Sequence, residues 1–179
     1  MSEVLYNDLY RIDTERANWI DYNNGTYFIT ICCKGMAHFF GHIADGAMHH
    51  SSIGTYAVGC IRDIPSHFPE CKVINFVVMP NHVHILLKLD GVEQQSSVRS
   101  GIDEFMQGVS LQRGRCSLIV SQMKGAITRY AHAEGLVFGW QSRFHDRFVR
   151  NHDELTRISN YIDNNPATWI NDCFHNDDK

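Results

Sequence analysis

The order of apolar and polar residues along the chain predicts most of its elements. Tyr27-Phe28-Ile29-Thr30-Ile31-Cys32-Cys33 is a β-branched and aromatic run and reads as a strand. Ile53, Ala57, Val58 and Ile61 recur at helical spacing within 48–62, and Pro65 and Pro69 mark the exit. Val73 to Met79 reads as a second strand, Pro80-Asn81 as punctuation, and His82 to Leu89 as a third. So short a connection predicts an antiparallel hairpin. Leu118 to His132 resumes a helix through Ile119, Met123, Ile127 and Tyr130, and Val137 to Val149 is extended and aromatic. A last helix starts with Asn151 as N-cap, Glu154 reaching back as in a capping box, and stops at Asn165 before Pro166. The order β-α-β-β-α-β-α predicts one α+β domain, an antiparallel sheet with helices packed on it.

Two stretches depart from this rhythm. Residues 1–22 are polar with scattered aromatics and read as an N-terminal arm. Residues 90–117, rich in Gly, Ser and Gln, read as a long flexible insertion, a kind of segment that is either functional or disordered. No repeat or second domain is visible within 1–179. The 44% apolar content of the 179 residues suffices for a core without disulfides or structural metal. No transmembrane run or secretory signal is present, and the six cysteines include no CxxC pair. A soluble, cytoplasmic protein with reduced thiols and no membrane partner is expected.

Among eleven histidines, most have ordinary readings. His38 and His42 have helical spacing but sit beside aromatics and a glycine, and His49-His50 reads as a polar helix start. His82-Val83-His84 is different because strand alternation puts His82, His84, Leu86 and Lys88 on one face. Two imidazoles so placed can converge on a divalent ion that keeps positions open for substrate. From His-x-His alone, two histidines on a half-exposed strand remain the plainer reading.

In the last helix Leu155, Ile158 and Ile162 form an apolar stripe, and Tyr161 and Asn165 lie together on its flank. If the stripe packs on the face bearing His82 and His84, Asn165 can be a third ligand and Tyr161 can face a metal-held phosphate. The tyrosine would attack phosphorus, expel a 3′-hydroxyl and become joined to a 5′-phosphate, a step that a second 3′-hydroxyl can reverse. A free phenol ionises near pH ~10, so the metal or a cation such as Arg157 must assist. The plain alternative is a core tyrosine and a helix-stop asparagine, and Pro166 biases Asn165 away from helical dihedrals.

The two motifs together carry a resemblance. Phe40-Gly41, His67-Phe68-Pro69, Val77-Val78-Met79-Pro80-Asn81-His82-Val83-His84, Trp140-Gln141, Phe144-His145-Asp146, Arg150 and Tyr161-Ile162-Asp163-Asn164-Asn165-Pro166 span about residues 27 to 170. In them the chain resembles the single-tyrosine HUH transposases, specifically the REP-associated tyrosine transposase branch of the insertion-sequence-200-like superfamily. The resemblance implies a ferredoxin-like (RRM-like) HUH endonuclease fold, His82 and His84 as metal ligands, Asn165 completing the site and Tyr161 as nucleophile. It implies an Mg²⁺- or Mn²⁺-dependent DNA transposase that nicks and rejoins single-stranded DNA near hairpins. Its location would be cytoplasmic, and nucleoid-associated when bound to DNA. A homodimer is one candidate assembly, because relatives include dimers, although monomers are expected in this branch. Two departures are Arg147, where similar sequences often carry histidine, and the long 90–117 insertion. A catalytically silent hairpin-binding module and a metal-dependent phosphoesterase are the alternative readings.

Charge complicates DNA binding. Sixteen Lys+Arg against twenty Asp+Glu give a net charge of −4, the wrong sign for a nucleic-acid binder. Yet residues 111–157 hold eight basic and four acidic side chains. Lys124, Arg129, Arg143, Arg147, Arg150 and Arg157 from this stretch, together with Lys88, are the candidate DNA contacts. Trp140, Phe144 and Phe148 interleave as stacking candidates, with a core role equally open to them. Nonspecific duplex affinity should be modest, leaving recognition to hairpin shape and a few bases.

Overall fold

The computed structural model describes residues 5–6, 10–11, 24–91 and 114–175, so most of the predicted arm and of the 90–117 insertion lies outside the described residues. In chain order the elements are β1 (Leu5–Tyr6), β2 (Tyr10–Arg11), β3 (Gly25–Cys32), β4 (Gly41–Ala44), β5 (Ala47–His50), α1 (Ser52–Arg62), α2 (Ile64–His67), β6 (Cys71–Val78), β7 (His82–Leu89), α3 (Arg115–Ala133), β8 (His145–Phe148) and α4 (His152–Asn164). Single 3-10 turns follow β3 and α4, at Lys34–Met36 and Trp169–Asn171.

The architecture is α+β. Strands β6-β7-β3-β8, in that order, form a four-stranded sheet in which every neighbouring pair is antiparallel. Strand alternation decides what each face carries. On one face Tyr27, Ile29, Ile31, Val83, Ile85 and Leu87 join Ile53, Ala57 and Ile61 of α1 and Ile119, Met123 and Ile127 of α3 in the main core. On the other face Leu86 packs with Val149, Ile158 and Ile162, so the apolar stripe of α4 covers the face that bears His82 and His84. Both faces of β7 are thus buried, and along the strand only Lys88 is exposed.

Three local readings need correction. The helix predicted within 48–62 starts only at Ser52, because its first positions belong to a β4–β5 hairpin. The turn of that hairpin is Asp45-Gly46, both with positive φ (52° and 71°), the pair a tight two-residue turn favours. Its apolar pairs, Ile43 opposite Met48 and Ala44 opposite Ala47, are adjacent along the strands and give no visible alternation. His49 and His50 are accordingly strand residues, and His42 stacks on His49 at 5.3 Å rather than on a helix with His38. The third correction concerns 137–149, where regular pairing is confined to β8 and an isolated bridge between Cys33 and Trp140.

Ser51 caps α1 by accepting from the Gly54 amide at 3.1 Å. A Cβ on Gly54 would fall 2.1 Å from the Phe40 carbonyl oxygen. Phe40 is fully buried and its amide donates to Pro80 in the turn before His82. Gly54→Ala is therefore expected to destabilise the fold by about 1–3 kcal/mol, measurable as a lower urea midpoint at unchanged slope.

No two of the six cysteines are joined in a disulfide, and burial raises the Cys32 thiol to about 11. Among the described residues, no helix is long and apolar enough to cross a membrane.

Candidate active site

β7 is a central strand, so its side chains are held on two sides by backbone pairing. His82 lies opposite Cys32 and His84 opposite Thr30 on β3. The His82 and His84 Nε2 atoms stand 3.1 Å apart. Each ring is fixed from behind. His82 Nδ1 meets Asn81 Oδ1 at 2.8 Å, and His84 Nδ1 meets Thr30 Oγ1 at 2.8 Å. Asn81 uses its Nδ2 to donate to the Phe174 carbonyl at 2.8 Å, so its oxygen faces His82 and His82 must carry its proton on Nδ1. The lone pair of His82 is then on Nε2, directed at His84.

Aromatic rings close the sides. Phe28 stacks on His84 with centroids 5.0 Å apart, and Phe174 lies 4.5 Å from His82. Both imidazoles are almost wholly buried. Burial pushes His82 well below the ordinary histidine value, with the neighbouring His84 adding to it, and burial pushes His84 down to about 3. At neutral pH these are neutral rings with lone pairs available, the form a metal ion takes.

α4 brings in the second motif. Asn151 Oδ1 accepts from the Glu154 amide at 2.8 Å, as the sequence predicts. The Glu154 carboxylate, however, takes the Arg150 amide at 2.9 Å and the Arg147 guanidinium in place of its predicted reach to the cap residue. Tyr161 OH lies 3.2 Å from His84 Nε2 and donates to Asp172 Oδ2 at 3.2 Å. Asn165 keeps helical dihedrals (φ −56°, ψ −45°) despite Pro166, so the expected bias against helix is overridden and the residue stays one turn beyond Tyr161. Asn165 Nδ2 donates to Asp172 Oδ2 at 3.0 Å. Asn165 is fully buried, and among the described residues its Oδ1 has no hydrogen-bond partner. An orphaned buried carbonyl oxygen is costly and rare.

The donor set passes a chemical test for a divalent ion. Two neutral imidazoles face each other at 3.1 Å, a gap that bonds of about 2.1 Å to one ion span. The uncompensated amide oxygen of Asn165 supplies a hard donor of the kind Mg²⁺ or Mn²⁺ accepts. Among the described residues no group of three His, Cys, Asp or Glu side chains offers an alternative centre.

The basic residues are dispersed. Arg147 and Arg157 converge on Glu154 at the start of α4, Arg157 at 3.8 Å. Arg157, one turn before the tyrosine, is thus turned toward the Glu154 carboxylate. Arg143 and Arg150 are exposed on the segment that carries β8. Lys88 is exposed and paired with Asp90 at 2.7 Å. Lys124 donates to the Gln141 carbonyl at 2.8 Å and lies over the Trp140 ring, and with Arg129 it belongs to α3, on the sheet face away from the histidines. Trp140 and Phe144 pack against the main core, whereas Phe148 is 37% exposed.

Glu154→Gln is expected to cost about 1–3 kcal/mol at neutral pH through weakened contacts to Arg150 and Arg147. The Arg150 amide first, and then Arg147, hold this carboxyl below its ordinary value. Its contribution is therefore present above the ordinary carboxyl value and lost as pH falls from there through the lower folded value. The gap between wild type and variant should close in acid urea titrations.

Asp172, Thr30 and Asn81 are the site residues that the motifs miss. Asn81 lies inside the Pro-Asn-His string but reads there as a turn residue. Asp172 sits in a stretch with no periodicity, and only its distance beyond Tyr161 hints at a return to the site.

The fold and site define an α+β protein with an antiparallel sheet whose central strand presents two histidines to a tyrosine helix. An uncharacterized protein of Haemophilus influenzae is 32% identical over 160 residues, covering 87% of either chain, and the present chain belongs to the same family. No model of a known protein family matches the chain. Among solved structures, a REP-associated tyrosine transposase bound to a REP hairpin shares the fold, with a TM-score of 0.57, 19% identity, and coverage of 88% of this chain and 74% of that one. A candidate transposase from Deinococcus radiodurans superposes with a TM-score of 0.38 at 16% identity, over 84% of this chain and 96% of that one.

Proposed function

We propose that the protein is a DNA transposase of the single-tyrosine kind, which nicks and rejoins single-stranded DNA near hairpins through a 5′-phosphotyrosine. The observation that carries this reading is the placement of the Tyr161 hydroxyl 3.2 Å from His84 Nε2, beside two facing imidazoles and an orphaned amide oxygen. The shared fold of a hairpin-bound tyrosine transposase supports it. His82, His84 and Asn165 would hold a divalent ion, Mg²⁺ or Mn²⁺, which when bound polarises a non-bridging phosphate oxygen.

The chain's own residues do the rest. Tyr161 oxygen bonds to phosphorus as the bond to the 3′-oxygen breaks; the phenolic proton leaves and the departing 3′-oxygen gains one. The phosphotyrosine conserves the ester, so a second 3′-hydroxyl can reverse the step without a nucleotide cofactor. Phe28 and Phe174 flank the histidines and keep bulk water from the ester. Tyr161 reaches a histidine of its own chain, so one chain suffices to assemble the site. Arg143, Arg147, Arg150 and Arg157 are the candidate contacts to DNA phosphates on the side of the sheet that carries α4.

The test is incubation with labelled hairpin-bearing single-stranded DNA and Mn²⁺, followed by a denaturing gel. A shifted protein–DNA band is expected, lost on chelation with EDTA. Salt-sensitive binding without any shifted band would mean a silent binding module, and released 5′-phosphate ends without a trapped adduct would mean a phosphoesterase.

A further inference from the structure

The segment that follows α4 returns to the site, and one side chain in it touches both working residues of the helix. Asp172 Oδ2 accepts from Tyr161 OH at 3.2 Å and from Asn165 Nδ2 at 3.0 Å. Its other oxygen accepts from the Phe174 amide at 2.8 Å. The next turn of the same segment supplies the Phe174 carbonyl to Asn81, whose oxygen fixes the His82 tautomer.

The consequence is one of orientation. An amide side chain has two ends of nearly the same shape, and its hydrogen bonds decide which way it faces. A carboxylate only accepts, so Asp172 selects the Nδ2 end of Asn165 and leaves Oδ1 as the unpartnered atom. The same oxygen takes the single hydroxyl hydrogen of Tyr161, which turns the phenolic lone pairs away from Asp172. One carboxylate thereby sets the direction of the third donor and of the nucleophile together. Such outer partners commonly change metal affinity by 10–100-fold when removed.

We infer that Asp172 is a positioning residue, which orients the Asn165 carbonyl as a metal donor and the Tyr161 oxygen toward the phosphate. Both of its carboxylate oxygens are engaged, by Tyr161 and Asn165 and by the Phe174 amide, so it acts through the residues it holds. The inference rests on the proposed metal-and-tyrosine site, so its test must separate the two.

Co²⁺ serves as the probe, because its visible d–d absorption reports both affinity and ligand set. Wild-type protein, Asp172→Asn, Asp172→Glu and His84→Ala are titrated with Co²⁺, and circular dichroism melts check that each is folded. The expected result is a band in the wild type that His84→Ala loses. Asp172→Asn should bind Co²⁺ 10–100-fold more weakly with an altered band, while melting within a few degrees of wild type. Asp172→Glu, which keeps the carboxylate, should recover most of the affinity. The yield of trapped DNA adduct should follow the same order. Wild-type affinity and an unchanged band in Asp172→Asn would overturn the positioning role while leaving the metal site standing. A rise in adduct yield in Asp172→Asn would also overturn it, since the side chain would then obstruct the site. A band that is absent from wild type, or indifferent to His84→Ala, would remove the metal site itself and the inference with it.

Discussion

Tyr161→Phe is expected to abolish the covalent protein–DNA band and strand cleavage together, a loss limited only by the detection threshold of the gel. No neighbour can substitute for the hydroxyl. Asp172 is a carboxylate that the phenol already donates to, and His82 and His84 are turned toward each other at 3.1 Å. The change should leave the site otherwise assembled. The phenyl ring retains its edge contacts with Phe28 at 6.2 Å and with His84 at 5.3 Å. Stability should shift by about 1 kcal/mol, the usual worth of a hydrogen bond whose partners can find others. Peptide mass spectrometry of the wild-type adduct should place the nucleotide on the peptide containing Tyr161. Cleavage at the wild-type rate in the phenylalanine variant would end the phosphotyrosine reading.

The sheet and the two motifs were legible in the sequence because periodicity and burial act on the same residues. Val83, Ile85, Leu87 and Leu89 alternate with His82, His84 and Leu86, and the sheet buries both sets on opposite faces. The stripe of Leu155, Ile158 and Ile162 specified which way α4 must face, and that orientation carries Tyr161 to the histidines. The β4–β5 hairpin was not legible, because two adjacent apolar pairs beside a two-residue turn leave no alternation to read. Asp172 was hidden for a different reason. Its role depends on where an irregular segment returns in space, and irregular segments are fixed by tertiary contacts such as Asn81 to Phe174 rather than by a local repeat. The Asn165 dihedrals show the same competition from the other side. The proline after it disfavours helix, but the Asn165 amide still bonds to Ile162 and its side chain is anchored on Asp172.

The buried histidines make a second large prediction, this time for stability in the metal-free protein. In EDTA, lowering the pH from 7 to 5 should destabilise the fold by at least about 2 kcal/mol. In the unfolded chain these rings take a proton near 6.5, while burial in the folded state holds His84 at about 3. Between those values the unfolded state binds more protons, so stability rises with pH at about 1.4 kcal/mol per unit for each such histidine. At pH 5 His84 alone accounts for about 2 kcal/mol, and His82 shifts in the same direction and adds to it. The window is distinctive, because the stabilising contribution of Glu154 begins to fade only at lower pH, as pH falls below the ordinary carboxyl value toward its depressed folded one. Urea titrations at half-unit steps between pH 7 and 5 measure the slope directly. His82→Gln combined with His84→Gln should flatten it, whatever the cost in absolute stability. On the proposed metal site Mn²⁺ would take the neutral rings, so it should raise the melting temperature of the wild type more at pH 7 than at pH 5 and leave the double variant unmoved. An equal slope in wild type and double variant would place the acid sensitivity in other groups. Equal Mn²⁺ stabilisation of the two proteins would mean that the ion binds elsewhere than at the facing imidazoles.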